Sequence, residues 1–403
     1  TDDYDLPFKE LIQIINNYDL DAVGIMHCDI NVIEDCIKEI RNAFDGPIMV
    51  YPETAVFNFP NYDFSNVISP SNFLKEARKR SNLIVETGAL TQRVVFDGTR
   101  AIGVMYRQKG TEVTVRANRE VIVASGAINS PQILQLSGIG DAGHLKDHGI
   151  GVVANRPEVG RNMQDHLSIR NMHASKIQTV TDELTNFRRS IIPVLQAVLF
   201  RTGSAAAFPL AGGAFVRTRP ELEIPDIQFH FSAGNIMSIQ RRPFAKPAKD
   251  NTRPDAYMAH ACQLRPESRG TITLRSADPA MPPIIQPNYL STENDKCTMR
   301  DAFKIGRNIM SQPALKQYSH GEVWPGPDVQ SDDEIDDFIS EAASTVYHPV
   351  STCRMGKDDD AVVDGALRVN GIEGLRVEAD DLELRRVARA HERVAARRPA
   401  QRG

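Results

Sequence analysis

The chain has 403 residues, 41% of them apolar and 25% charged, with a formal net charge of −5. That length supports two or three domains with a large buried core, and the composition is that of an ordinary globular protein. The small net charge gives no reason to expect nucleic acid or an anionic membrane as a partner, and no apolar run reaches the length of a membrane span.

Five cysteines, Cys28, Cys36, Cys262, Cys297 and Cys353, are sparse and odd in number, and none forms a C-x-x-C pair. They suggest neither a disulfide framework nor a metal site, and they fit a reducing cytoplasm. The first residues, Thr1-Asp2-Asp3-Tyr4, lack both a basic region and an apolar stretch, so they do not read as a signal peptide. They also lack an initiator Met, and the expectation is a chain that begins inside a longer one.

In chain order, Phe8–Ile15 reads as a helix and Ala22–Met26 as a short strand ending at His27-Cys28. Val32–Ile40 reads as an amphipathic helix, and Asp45-Gly46 turns the chain into a buried strand over Pro47–Tyr51. This predicts a short βαβ segment within residues 1–70, with parallel strands. A helix is expected over Ser71–Arg80. Four strands should follow at Asn82–Glu86, Gln92–Phe96, Ala101–Tyr106 and Glu112–Val115. Tight turns at Asp97-Gly98 and Lys109-Gly110 would join the later strands into a meander. Glu120–Ser125 is mostly apolar, as a strand covered on both faces must be.

Further on, Ile227–Phe231 and Thr271–Leu274 carry strand patterns, and the Pro-rich run Pro279–Pro287 reads as a loop. Ser331 and Glu334 form a capping box, with Ile335, Phe338, Ile339 and Ala342 on one face of the helix behind it. From Glu378 the chain becomes rich in Arg, Ala and Glu. The fold class expected is α/β (α+β).

Two stretches carry chemistry. In the first, the Glu120–Ser125 strand meets Gly126-Ala127-Ile128-Asn129-Ser130-Pro131, where Ser130 is a candidate N-cap and Pro131 suits the first helical turn. A strand, a tight glycine turn and a helix N-terminus present backbone N–H groups to an anion or an electron-rich cofactor. The same arrangement also serves as a plain strand-to-helix turn. The second is Tyr347-His348-Pro349-Val350-Ser351-Thr352-Cys353-Arg354-Met355-Gly356. A histidine at an element end, fixed by the following proline, suits general acid–base work; as a lone histidine it also suits a structural hydrogen bond. Gly138-Ile139-Gly140-Asp141-Ala142-Gly143 fits G-x-G-x-x-G but follows a helix, so it reads as a structural turn.

Together these stretches resemble the signatures of the glucose–methanol–choline oxidoreductases. Further segments match in family order: Asn82–Leu90, Val159–His166, Leu264–Gly270, Asn288–Ser291 and Val363–Val369. The resemblance covers residues 71–377. It implies an FAD-binding fold interleaved with a substrate domain built on an antiparallel sheet. The expected layout is a partial FAD-binding domain at 71–166, the substrate domain at 167–345, and a return to the FAD-binding domain at 346–377. By the same resemblance Val94 would contact the adenine, and Ala124, Ser125, Gly126 and Ala127 would lie near the flavin. Asn162, Asp165 and His166 would approach the cofactor from the other side. His348 would be the base that takes the hydroxyl proton of a small alcohol, choline-like or aliphatic.

The sequence departs from the family pattern in two places. No strand followed by a G-x-G-x-x-G loop and a helix occurs, so the FAD-binding fold reads as incomplete. Residues 1–70 instead resemble part of a homocysteine S-methyltransferase barrel, with Cys28 at the place of a zinc ligand but without the Cys-Cys pair that completes such a site. The tail at 378–403 lacks the Gly/Asn-rich turn that carries the second catalytic residue, and His391 matches it in spacing alone. Three expectations follow: an FAD-dependent alcohol oxidoreductase, an inactive truncated or fused remnant without its pyrophosphate loop, or a methyltransferase fragment.

Overall fold

The computed structural model describes residues 23–29, 48–53, 55–58, 63–66, 79–185, 187–200, 202–206, 210–235 and 255–377. Val23–Asp29 pairs in parallel with Ile48–Glu53, as two apolar runs separated by a helix-length stretch do when a crossover joins them. The helices expected at 8–15 and 32–40 lie outside the described residues, as does nearly all of the one expected at Ser71–Arg80. The 378–403 tail lies outside them too. Among the described residues no helix is long and apolar enough to cross a membrane.

The rest divides into two compact units. One contains residues 170–261 and 302–335, and the other contains 86–169, 262–301 and 336–377. Sequence reading ran 167–345 as one stretch, whereas here 262–301 groups with the second unit.

The first unit is built on a mixed-length sheet in the order Leu210–Val216, Ile227–Ser232, Ala256–Gln263, Leu167–Ser175 and Ser319–Trp324. The pairings of Leu210–Val216 with Ile227–Ser232 and of Leu167–Ser175 with Ser319–Trp324 are antiparallel. The helix Glu293–Ser311 reaches this sheet at Gly306, where a Cβ would stand 3.1 Å from the Phe229 ring and 3.6 Å from the Asn171 side chain. Arg307 on the same helix forks onto both Glu322 carboxylate oxygens at 2.8 Å and stacks on Phe303. The strand expected at Thr271–Leu274 forms over Thr271–Thr273, but it pairs with Ile284–Gln286 in a separate two-stranded sheet of the other unit. The Pro279–Pro287 run therefore contains a short strand and is not all loop.

The second unit opens with the expected meander, Ala89–Asp97, Arg100–Gln108 and Thr111–Arg116, antiparallel throughout. Asn82–Glu86 does not join it. Residues 83–87 have no assigned element, and Ile84 is 81% exposed. A β-rich sequence becomes a strand only when a neighbour completes its hydrogen bonds, and none of the described residues does so here. Val121–Val123 pairs in parallel with Leu375–Val377. Val121 and Val123 are buried while Ile122 is exposed, so only one face is covered, not both as expected.

The helix after this strand runs Gly126–Leu136 and starts one turn earlier than expected. Ser130 is not its cap: its hydroxyl sits inside the helix and accepts from the Ser125 N–H at 3.0 Å. Pro131 then lies in the helix interior, where its missing N–H would orphan the carbonyl four residues back. That carbonyl, on Ala127, accepts instead from the Thr352 hydroxyl at 2.5 Å. Gln135 on the same helix donates to Ile272 O at 2.9 Å and accepts from Leu274 N at 3.1 Å. One buried amide thus fixes the 271–274 strand to the helix. The capping box at the Asp332–Ala342 helix forms as read: Glu334 N–H donates to Ser331 Oγ at 3.3 Å, and Ser331 N–H to Glu334 Oε2 at 2.9 Å.

Candidate active site

Three segments of the second unit converge: the turn at 124–127, the stretch 160–168 and the stretch 344–353. Each contact between them is a backbone or short side-chain bond. Gly160 N–H donates to Thr352 O at 2.8 Å, and Gln164 and Val350 exchange N–H···O bonds at 3.1 and 2.8 Å. Leu167 and Ser168 pair with Thr345 and Ser344 in a short antiparallel ladder. Gly160 must be glycine, because a Cβ there would meet the Ile272 carbonyl at 2.1 Å, and its φ is +83°.

His348 stands on the resulting loop and is exposed. Its backbone N–H donates to Asp165 Oδ1 at 3.0 Å. Its ring centroid lies 5.7 Å from that of His166, edge to face. The His166 ring bonds to the Leu264 backbone, and its Nδ1 is buried without a hydrogen-bond partner among the described residues. Burial, and after it the neighbouring His348, hold the His166 pKa below the ordinary histidine value; Asp165 and the Leu264 bond pull weakly the other way. At neutral pH His166 is therefore uncharged and adds no positive charge beside His348.

Asp165 is 5% exposed. Its Oδ2 accepts from the Tyr289 hydroxyl and from the Thr345 hydroxyl. Both oxygens are thus engaged within the protein. Burial, and then the bond to Asp165, raise the Tyr289 pKa above its usual value, so the phenol remains a donor. Burial, with Asp165 contributing, also pushes the Cys262 thiol up to about 12, which leaves it an unreactive core group.

The remaining expected residues are placed as follows. Ala124 and Ser125 are exposed at the strand end, and Gly126 is in the left-handed region at φ +73° with nothing within 4 Å of a built Cβ. The helix behind them has no side-chain cap. Its uncapped first N–H groups suit an anionic or electron-rich group, and His166 Nδ1, unpartnered among the described residues, is a second polar group suited to a ligand. Ala127 is buried, with its carbonyl taken by Thr352. Asn162, at φ +61°, donates to Glu158 at 2.7 Å. Val94 is 2% exposed in the core cluster and its N–H donates to Ser137 Oγ at 2.8 Å. The G-x-G-x-x-G match at Gly138–Gly143 follows the 126–136 helix as read, but is more than a turn: Ile139–Gly140 is a short strand paired in parallel with Ala154–Asn155, and Asp141 caps the helix Ala142–Asp147 by accepting from His144 N–H at 2.9 Å.

Sequence reading missed Tyr289, Thr345 and Thr352 as parts of the site. Tyr289 sits in Asn288–Ser291, which was singled out as a matching segment but given no role. No local pattern says that it meets a carboxylate 124 residues away. Among the described residues no group of His, Cys, Asp and Glu side chains could hold a metal ion.

Two profiles described as GMC oxidoreductase match residues 67–168 and 266–379. The chain is 43% identical over 349 residues to an oxygen-dependent choline dehydrogenase of Brucella canis, covering 86% of this chain and 60% of that protein. It is 43% identical over 307 residues to the mitochondrial choline dehydrogenase of Homo sapiens, covering 76% of this chain and 50% of that one. The chain thus spans at most 60% of the length of these relatives. Among solved structures, pyridoxine 4-oxidase from Mesorbium loti superposes with a TM-score of 0.62 at 28% identity, over 75% of this chain and 54% of that one. A fungal aryl-alcohol oxidase shares the fold at 19% identity with a TM-score of 0.63, over 93% of this chain and 75% of that one. With both profiles falling on the segments that build the His348 site, the chain belongs to the GMC oxidoreductase family, and within it is choline-dehydrogenase-like.

Proposed function

We propose that this chain carries the base and part of the flavin contact surface of an FAD-dependent enzyme that oxidises a small alcohol to an aldehyde, choline-like alcohols first among them. The observation that carries this reading is His348, exposed on a loop whose backbone is fixed by a buried carboxylate. The names of the relatives support the substrate class. Bound FAD supplies the two-electron acceptor.

The chain's own residues do the rest. An imidazole nitrogen of His348 takes the proton of the alcohol oxygen. His166, kept neutral, avoids placing a charge beside that proton. The open turn at Ala124–Gly126 and the stretch at Asn162–His166 are the residues that would hold the flavin. No G-x-G-x-x-G loop of the pyrophosphate-binding kind, between a strand and a helix, occurs among these 403 residues. These 403 residues taken by themselves are therefore expected to hold FAD weakly and to take it up from added FAD.

The test is absorbance of the purified protein with and without added FAD, followed by anaerobic flavin reduction with choline. His348→Ala should slow reduction by about 10²–10⁴-fold, the usual contribution of a general base, and leave flavin uptake intact. Unchanged reduction in that variant would remove His348 from the mechanism. Added FAD with no reduction by any alcohol would favour the inactive remnant.

A further inference from the structure

We infer that Asp165, Tyr289 and Thr345 form a clamp that positions His348 through its backbone, with Asp165 as the positioning residue. The inference rests on the reading of His348 as the base. The loop that bears His348 needs such a clamp. Tyr347 at φ +66° and Ser351 at φ +73° are both non-glycine residues in the left-handed region, a conformation that surrounding structure must impose.

Two amides of that loop lead to one carboxylate. His348 N–H donates to Asp165 Oδ1 at 3.0 Å. Tyr347 N–H donates to the Thr345 hydroxyl at 2.8 Å, and that hydroxyl donates onward to Asp165 Oδ2. The Tyr289 hydroxyl bonds the same Oδ2 and fixes the carboxylate from outside the loop. Three donors on two oxygens require a group that only accepts. An ionised aspartate meets this, and an asparagine would turn an N–H₂ toward a donor. Thus Asp165 sets both the strained backbone and the approach of His348 to His166.

The experiment uses the full chain, isotope-labelled, as wild type, Asp165→Asn and Tyr289→Phe. Amide hydrogen exchange at Tyr347 and His348 should speed up by roughly 10–100-fold in Asp165→Asn, as expected when a hydrogen bond to a charged group is lost. In Tyr289→Phe it should speed up by roughly 3–10-fold, as for a neutral one. Exchange in the 100–108 strand should stay as it was. The NOE between the His166 and His348 rings should weaken in Asp165→Asn, a signature that general loosening of the fold would not give on its own. Should Asp165→Asn fail to fold, Tyr289→Phe carries the same test in milder form. Unchanged exchange at Tyr347 and His348 in the folded variants overturns the clamp. If exchange and NOE change as expected while wild-type protein with added FAD oxidises no alcohol, the clamp stands and the proposed activity falls.

Discussion

Two buried polar clusters of the molecule differ in how fully their side chains are satisfied. Around Asp165 every carboxylate oxygen has its donors, and the pattern recurs at Asp295. That residue, 1% exposed, accepts from Gln263, from the Glu267 N–H and from both the N–H and hydroxyl of Ser268. Burial alone would raise the Asp295 pKa, but these bonds outweigh it and hold it below the ordinary value. The sheet of the other unit is different. Among the described residues, both side-chain polar atoms of Asn171 are buried without partners, as are His173 Nε2 and His260 Nε2. A saturated carboxylate fixes one geometry, whereas an unsaturated polar group costs stability and leaves its surroundings under-determined. The difference teaches where rigidity is invested: in the backbone under His348.

The strongest way to break this contrast is to remove the saturated acceptor. Asp165→Ala leaves the Tyr289 and Thr345 hydroxyls and the His348 N–H without their shared partner. Each unsatisfied buried donor costs about 1–3 kcal/mol, so a loss of roughly 3–5 kcal/mol in the denaturant midpoint analysis is expected once water takes up part of the deficit. A loss under about 1 kcal/mol would mean that the loop is held by its backbone ladder alone.

The unsaturated region should show itself in pH dependence. Burial, and then Arg170 and His230, lower the His260 pKa from 6.5 to about 3. Its Nδ1 accepts from Arg170 Nε at 3.3 Å, which the protonated ring could not do. The unfolded chain thus binds a proton near pH 6.5 that the folded chain refuses until about pH 3. Stability from this group is complete above pH 6.5 and falls as pH drops through that window, by at most about 1.4 kcal/mol per unit. His260→Gln should flatten the stability profile across the window, measured by urea unfolding at successive pH values. An unchanged slope would assign the acid sensitivity to other groups.

Much of this was legible in the sequence, and the failures have physical causes. The meander, the capping box and the parallel pairing near the N-terminus follow from local turn chemistry and periodicity. So did the strand and glycine turn before the 126–136 helix, although Ser130 and Pro131 misplaced its start. Their local cap signal was overridden by a hydroxyl from Thr352, 225 residues from the carbonyl it serves. Asn82–Glu86 differs for the converse reason: strand propensity is present, but no described residue pairs with it. The site segments could be found from their resemblance to a family. Which side chains hold which could not, because Asp165 gathers its donors from 124 to 183 residues away. Long-range saturation of a buried charge leaves no periodic trace.

The mildest test sharpens the comparison from the other side. Asn171 is 3% exposed, and neither its Oδ1 nor its Nδ2 has a partner among the described residues. Its neighbours include the Phe229 ring, with Gly306 leaving room beside both. An apolar side chain of similar shape would keep the packing and remove two desolvated polar atoms. Asn171→Leu should therefore be neutral or stabilising by up to about 1 kcal/mol, read as a small rise in urea midpoint with unchanged slope. This is opposite in sign to the effect expected at Asp165, although both positions are buried and polar. A destabilisation beyond about 1 kcal/mol would show that Asn171 has partners after all, ordered water being the simplest, and that the sheet is saturated in its own way. The two regions would then differ in the source of their hydrogen bonds and no longer in their number.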